Sequence, residues 1–391
     1  MLITRLHSPL LDNDPSSQYT PYFAGMMALW SCLFLEFWKR KEKDLALRWG
    51  TIGFEENEQP RPQFEGENRL SPIHGHPTKY FSPDERFRRS LKSHFSIFTF
   101  LGVIVGILAA IFVIRVLLQT NSVSNSRGAG IAAALLISGQ IFFMNYLFGD
   151  IAIRLNNHEN HRTDTEYEDA LISKTFLFQF FNSYTSLFYI SFMQPFTNFD
   201  PCQSGNCFVD VQTTLGTIFI TRLVAGNIVE LGAPLYHSFM KTRASKEALL
   251  HVSGHMSVGD GKHELSEVER TFNLEEYDVL MGTFEDYSEM VIQFGYMTLF
   301  ICAFPLGTVL AFINNYVELR VDAWKLCQLC RRPSPRSAED IGTWQTVLTI
   351  MAVAAVFTNS ALVAFTGKFT DNDQWTYRVW IFVLMSGGLL R

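Results

Sequence analysis

The stretch "FSIFTFLGVIVGILAAIFVIRVLL", residues 95–118, decides the fold class. A bilayer hydrocarbon core about 30 Å thick is crossed by roughly 20 residues of helix, and only a helix or a closed barrel satisfies its own backbone there. Comparable apolar runs lie at 18–38, 128–153, 171–195, 212–236, 286–304, 306–329 and 342–366, and another starts at Tyr377. The pattern predicts an all-α, polytopic transmembrane helical bundle of eight spans and part of a ninth. Residues 1–17, with "DNDPSSQ", lack the basic and apolar regions of a signal peptide.

Composition agrees. Of 391 residues, 48% are apolar and 14% aromatic, 35 being Phe, and only 18% are charged, less than a soluble chain of this length carries. The formal net charge of −6 excludes nucleic acid as a general partner, because phosphate-binding domains are basic. Lys and Arg concentrate in "WKRKEK" (38–43), "ERFRRSLK" (85–92), "KTRASK" (241–246) and "CRRPSPR" (330–336), on alternate loops. Short cytosolic loops retain positive charge, so that side is the cytosol. The opposite loops, near 119–127, 196–211 and 367–376, hold only Arg127 and Lys368. Residues 1–17 then form an exterior N-terminal segment, which leads to the expectation of a further span upstream.

Cys202 and Cys207, in "PCQSGNCF", fall in an exterior loop where oxidation is allowed, and are candidates for a disulfide. Cys327 and Cys330 form a lone CxxC on the cytosolic side, read as helix-end thiols rather than a zinc site. "HENH" (158–161) is read as a solvated polar cluster.

Three spans bring acids to a similar depth. Glu318 and Asp322, in "NNYVELRVDAWK" (314–325), stand one helical turn apart; Asp286 and Glu289 stand at the cytosolic end of the preceding span; Glu230, with Asn227, closes 212–236. A charged side chain at the bilayer centre costs about 2.5 to 3.5 kcal/mol on insertion scales, less near an end. Five carboxylates and an amide are all oxygen ligands, which suits Ca2+, and their charge suits two such ions. The absence of His and Cys disfavours zinc and copper. The bland alternative places the acids at the membrane surface, paired with Arg320, Lys325 or lipid headgroups.

A second pattern runs along 171–195. Thr175, Gln179, Asn182, Ser186 and Tyr189 recur at intervals of 4, 3, 4 and 3, one polar stripe on a helix, and the preceding span offers Ser138 and Asn145. Such a stripe is either an interhelical hydrogen-bonding seam or the wall of a wetted groove. Between 171 and 236 the embedded basic residue is Arg222, with Lys174 at the cytosolic mouth. That poverty of positive charge favours passage of lipid headgroups, with a non-selective ion leak beside it, over an anion-selective pore.

The residues also carry a resemblance. "FNSYTSLFYISF" (181–192), "EDYSEMVIQFGYMTLFICAFPL" (285–306), "NNYVELRVDAWKL" (314–326), "RRPSPRSAEDIGTW" (331–344) and residues 27–65 resemble the anoctamins, a family of calcium-activated lipid scramblases and chloride channels. The resemblance implies that Glu230, Asp286, Glu289, Glu318 and Asp322 match the family's calcium ligands, with Asn227 beside them. It also implies that 18–391 is an incomplete transmembrane domain lacking an upstream cytosolic domain and first span, with a truncated last span; the family's homodimer is in question for this chain. The expected function is calcium-activated phospholipid scrambling along the polar groove. The alternatives are a calcium-activated chloride channel and a non-transporting assembly or tethering protein. No separate nucleophile or base stands near the acids, so catalysis is not expected. The expected partners are phospholipids, Ca2+ and small ions including chloride, in the plasma membrane or an intracellular one. Gly226, Gly232 and Pro234 loosen the span that carries Glu230 and are its expected hinge.

Overall fold

The computed structural model describes residues 20–71, 75–120, 126–202, 207–228, 232, 235–237, 239–244, 266–366 and 375–389. They divide into two compact units, one of residues 1–218, 286–308 and 337–391, the other of 219–285 and 309–336.

Among the described residues, nine long helices match the apolar runs of the sequence. They are α1 (Thr20–Trp49), α2 (Pro83–Thr120), α3 (Ser126–Glu159), α4 (Asp164–Phe188), α5 (Cys207–Thr221), α7 (Val279–Leu299), α8 (Gly307–Trp324), α9 (Thr343–Ala361) and α10 (Trp375–Leu389). The short α6 (Glu267–Asn273) lies between α5 and α7. The protein is thus an all-α polytopic membrane protein. Four segments are long and apolar enough to cross a membrane on composition alone: Pro83–Thr120, Gly128–Glu159, Cys207–Gly226 and Thr343–Phe365. α4 and α8 interrupt their apolar faces with the polar stripe and the acids.

In the first unit, α2 packs on α3, α3 on α4, and α2 on α4. Small residues make the α3 contact close: Ala129, Ala133 and Ala134 are buried. At the centre of the triangle the rings of Phe148 and Phe178 stack at 3.8 Å, with Phe100 edge-on to Phe148 at 5.8 Å. The outer face of α2 presents Phe95, Phe98, Val105 and Leu117, exposed as lipid-facing residues are. α7 is drawn onto α4 by Tyr184, whose hydroxyl donates to the Ile292 carbonyl at 2.7 Å, and by Tyr296, whose hydroxyl donates to the Ser183 carbonyl at 3.3 Å. A Cβ at Gly295 would collide with the Tyr184 ring and Met351, so this approach requires glycine.

α4 begins at a cap, the Thr163 hydroxyl accepting from the Glu166 amide at 3.2 Å, with Asp164 and Glu166 in its first turn. It ends through a π-turn (Tyr189–Met193) and a 3₁₀ turn (Gln194–Phe196) that contains Pro195, which cannot continue a helix. The sequence reading missed one element. A two-stranded antiparallel ribbon, β1 (Glu67–Leu70) and β2 (Pro77–Tyr80), pairs Glu67 with Tyr80 and Leu70 with Pro77. Its signal was the Gly75 and Pro77 punctuation after Leu70, with Gly75 at φ 67°. The segment before it is pinned by Asn160, at φ 58°, whose amide bonds the Glu65 backbone in both directions at 3.0 and 2.7 Å.

In the second unit, α5 continues as a π-turn over Arg222–Gly226, and α8 as another over Lys325–Leu329. α6 carries a capping box of Ser266 and Glu269. Arg331 ties α6 to the end of α8: its guanidinium donates to the carbonyls of Phe272 at 2.7 Å and Leu274 at 3.1 Å and lies over the Phe272 ring.

Candidate functional site

The polar stripe of α4 lies against protein. Asn182 is wholly buried, and every bond it makes reaches α3: its Nδ2 donates to the Ile141 carbonyl at 3.1 Å and to Asn145 Oδ1 at 2.8 Å, and its Oδ1 accepts from Gln140 Nε2 at 2.6 Å. Gln179 Oε1 accepts from the Ser288 hydroxyl of α7 at 2.6 Å. Tyr189 is half-buried, its ring 4.3 Å from that of Phe112. Ser138 is buried and donates within its own helix, to the Ala134 carbonyl at 2.9 Å. Ser186 and Thr175 are buried, and their hydroxyls have no hydrogen-bond partner. The stripe therefore joins Gln179, Asn182 and Asn145 into interhelical contacts and leaves Ser138 and Tyr189 outside that network. Gln140, which sequence reasoning passed over, completes it; its signal was a lone amide in an apolar run.

Two buried ionic clusters flank the seam. At the Lys/Arg-rich end, Lys174 Nζ lies 2.7 Å from Glu159 Oε2 and 2.8 Å from Asn156 Oδ1, and His161 Nε2 lies 3.2 Å from the same Glu159 oxygen. "HENH" is thus not a solvated cluster in its acidic member. Glu159 is buried because the ammonium of Lys174, one helix away, compensates it. At the other end, Arg115 of α2 meets two carboxylates, Asp210 Oδ2 at 2.5 Å and Asp200 Oδ1 at 3.7 Å, all buried. Gln194 Nε2 donates to Asp210 Oδ2 at 3.0 Å. Burial holds the Asp200 carboxyl above its ordinary range, Arg115 pulls against that, and Asp210 adds to it. Cys202 and Cys207, between the two acids in sequence, are joined as a disulfide with Cα atoms 4.8 Å apart. Lys174 was legible as a residue but not as a pair, since its partner lies 15 positions away; Arg115, 95 positions from Asp210, was passed over.

The acids fall on both units. Asp286 and Glu289 stand one turn apart on α7, half-buried, in the first unit. Glu318 is buried on α8 in the second unit, and Asp322, one turn on, has Lys325 Nζ at 3.0 Å. The pairing of an acid with Lys325 that the bland alternative named is thus present at Asp322. In the same unit Asn227 Nδ2 donates to Asn314 Oδ1 at 3.4 Å, and the Asn227 amide oxygen has no hydrogen-bond partner. Glu230 and Pro234 lie outside the described residues, as does the 1–17 segment. Arg222 and Gly226 are the first and last residues of the π-turn on α5, and Gly232 is exposed. Among the described residues no group of three or more His, Cys, Asp or Glu side chains converges to hold a metal ion.

Comparison with known proteins places these features in a family. The family model described as "Anoctamin: Calcium-activated chloride channel" matches residues 4–390. Anoctamin-4 of Homo sapiens is 32% identical over 390 residues, which covers 92% of this chain and 40% of the relative. Anoctamin-3 of Mus musculus is 31% identical over 390 residues, 92% of this chain and 38% of the relative. Anoctamin-7 of Mus musculus is 32% identical over 387 residues, 92% and 43%. The chain spans about two fifths of the length of the curated relatives it matches. A family match across nearly the whole chain, with polar and acidic side chains set into its apolar helices, makes this chain a member of the anoctamin family.

Proposed function

We propose that this chain is the transport-bearing part of a calcium-activated phospholipid scramblase, with a non-selective ion leak beside the lipid path. The observation that carries the reading is the charge balance of the first unit. Its two buried basic side chains among the described residues, Lys174 and Arg115, are each held by carboxylate, while the stripe of α4 displays uncharged amides and hydroxyls. A path lined by Asn182, Ser186, Asn145, Gln179, Ser138 and Tyr189 would offer a zwitterionic headgroup hydrogen bonds without favouring either sign of charge. The reading requires α3 and α4 to part, because Asn182, at the middle of the stripe, is bonded to α3 in this conformation.

Calcium supplies the energy for that change. Glu230, Asp286, Glu289, Glu318 and Asp322, with the partnerless amide oxygen of Asn227, would supply oxygen donors of the kind hard cations take, and we assign two Ca2+ ions to them. Bound Ca2+ would neutralise these acids, and the hinge at Gly226, Gly232 and Pro234 would let the end of the helix that carries Glu230 move. The Cys202–Cys207 disulfide would fix the exterior loop. The homodimer of the intact family protein is part of the same proposal.

The family description itself favours a second reading, a calcium-activated chloride channel. Arg222, half-buried on the π-turn, is the residue that would supply positive charge to such a pore. One experiment separates the two. The protein is reconstituted in liposomes containing fluorescent phospholipids, and lipid exposure and anion flux are measured with and without Ca2+. Scrambling that rises with Ca2+ supports the first reading. Anion flux without lipid exposure replaces it with the second.

A further inference from the structure

We propose that Asn182 is the residue that holds the transport pathway shut, by latching α4 to α3 with three hydrogen bonds that must break before the polar face of α4 can open. The inference rests on the transport reading above and names the closing device of that same path.

The latch is local and complete. Both N–H donors of the Asn182 amide are used, on Ile141 and Asn145, and its carbonyl accepts from Gln140, so one side chain engages α3 across more than a full turn. No bond from this amide returns to its own helix. The group is uncharged, which suits a bond that must form and break at membrane depth, where an ion pair would be far costlier to separate.

The seam around the latch pulls the other way. Ser186, four residues toward the exterior, and Thr175, seven toward the cytosol, lie on the same stripe with buried hydroxyls that have no hydrogen-bond partner. Gln140 Oε1 is equally unpartnered once its amide nitrogen has been given to Asn182. A buried polar atom without a partner is less stable than the same atom in water. Separating α3 from α4 would hydrate the Oε1 of Gln140, whose side chain bridges the two helices. The closed seam is therefore a balance, with the unpartnered Gln140 oxygen favouring the open, hydrated form and the Asn182 triad favouring the closed one. A two-state element poised in this way is what a ligand bound elsewhere can shift.

The test is a calcium titration of lipid scrambling and anion flux in liposomes, together with thermal denaturation in detergent, for the unmutated full chain, Asn182→Leu, Gln140→Met, Asn145→Leu and the Asn145→Leu/Asn182→Leu pair. The latch predicts at least a fivefold shift of half-maximal activation to lower Ca2+ for Asn182→Leu, with a raised rate in the absence of Ca2+. Gln140→Met and Asn145→Leu should each give a smaller shift in the same direction. The pair should shift no further than Asn182→Leu alone, since both changes remove the same bond. Gln140→Met keeps side-chain volume and all of α4, so it carries the test if Asn182→Leu does not fold. Calcium curves that superimpose on the unmutated one, with only the melting temperature lowered, would show a static packing contact and overturn the latch. If unmutated protein and variants alike transport neither lipid nor anions at any Ca2+ concentration, the transport reading falls and the latch with it.

Discussion

The two buried ionic clusters of the first unit are built to different charge balances. Lys174 faces a single carboxylate, Glu159, and its remaining donors reach the Asn156 amide oxygen at 2.8 Å and the Ala170 carbonyl at 3.4 Å. Arg115 faces two carboxylates at once, and both oxygens of Asp200 lack a hydrogen-bond partner. The first cluster is a charge-balanced strut between α3 and α4. The second holds more acid than its cation can neutralise, with the Cys202–Cys207 disulfide between its two acids in sequence. Burial of charge tolerates the first arrangement readily and the second only if the surplus acid changes its protonation or its function.

Breaking each cluster at its cation should have the largest effects. Arg115→Met leaves two acids buried with no countercharge, and we expect a loss of stability of about 3 to 5 kcal/mol or more, the usual consequence of orphaning a buried ion. Lys174→Met orphans only Glu159 and should fall at the lower end of the same range, about 3 kcal/mol. Thermal and denaturant unfolding of both variants in one detergent checks the order. A larger loss for Lys174→Met would mean that the acids beside Arg115 are already neutral in the folded protein.

The acids of α7 and α8 extend the contrast to carboxylates whose proposed countercharge is an ion from solution. Glu318→Gln and Asp322→Asn should each raise the Ca2+ needed for half-maximal activation by about tenfold or more, the order seen when a metal site loses a supporting group. Asp322 has Lys325 at 3.0 Å, so its variant frees an ammonium and should show the greater shift. Unchanged activation in both variants would remove the calcium assignment. Gly226→Ala stiffens the end of the π-turn by roughly 1 kcal/mol, enough to shift the calcium curve about fivefold with every acid intact. Superimposable curves would place the moving element elsewhere.

How much of this was legible in the sequence follows from the range of the forces involved. Helix positions were readable because hydrophobic matching to a bilayer acts residue by residue, and runs such as 95–118 state it locally. The stripe on α4 was also readable, since its 3.6-residue period is a property of one helix. Its partner was not. Whether Asn182 faces water or Gln140 depends on how α3 rotates about its axis, which a single amide in an apolar run does not specify. Lys174 was visible as an isolated cation and Arg115 was passed over inside an apolar run; the balancing acids stand far away in sequence, and "HENH" looked solvated because nothing local showed an ammonium reaching Glu159. The β-ribbon hid in a loop because two short exposed strands carry no apolar alternation.

The smallest effect should come from the surplus acid itself, and its sign separates two accounts of the Arg115 cluster. Asp200→Asn removes one of two carboxylates from a single guanidinium, leaving Arg115 and Asp210 in one-to-one balance like the strut at the other end. Replacing an excess buried charge by a neutral group is neutral or favourable, and we expect a gain between zero and about 1 kcal/mol at neutral pH. The pH dependence gives the sharper reading. The Asp200 carboxyl is held above its ordinary value of 3.8, chiefly by burial, so between that value and its folded-state one the native protein binds more protons than the unfolded chain. Stability therefore falls as pH rises through that window, and the contribution is complete only below 3.8. Asn cannot titrate, so the variant should lose this slope. Melting temperatures of the two proteins, measured from acid to neutral pH, should separate progressively as pH rises, with the variant higher. If the unmutated protein is instead the more stable at neutral pH, the Asp200 carboxylate is a net favourable partner for Arg115, and the two clusters obey the same balance after all.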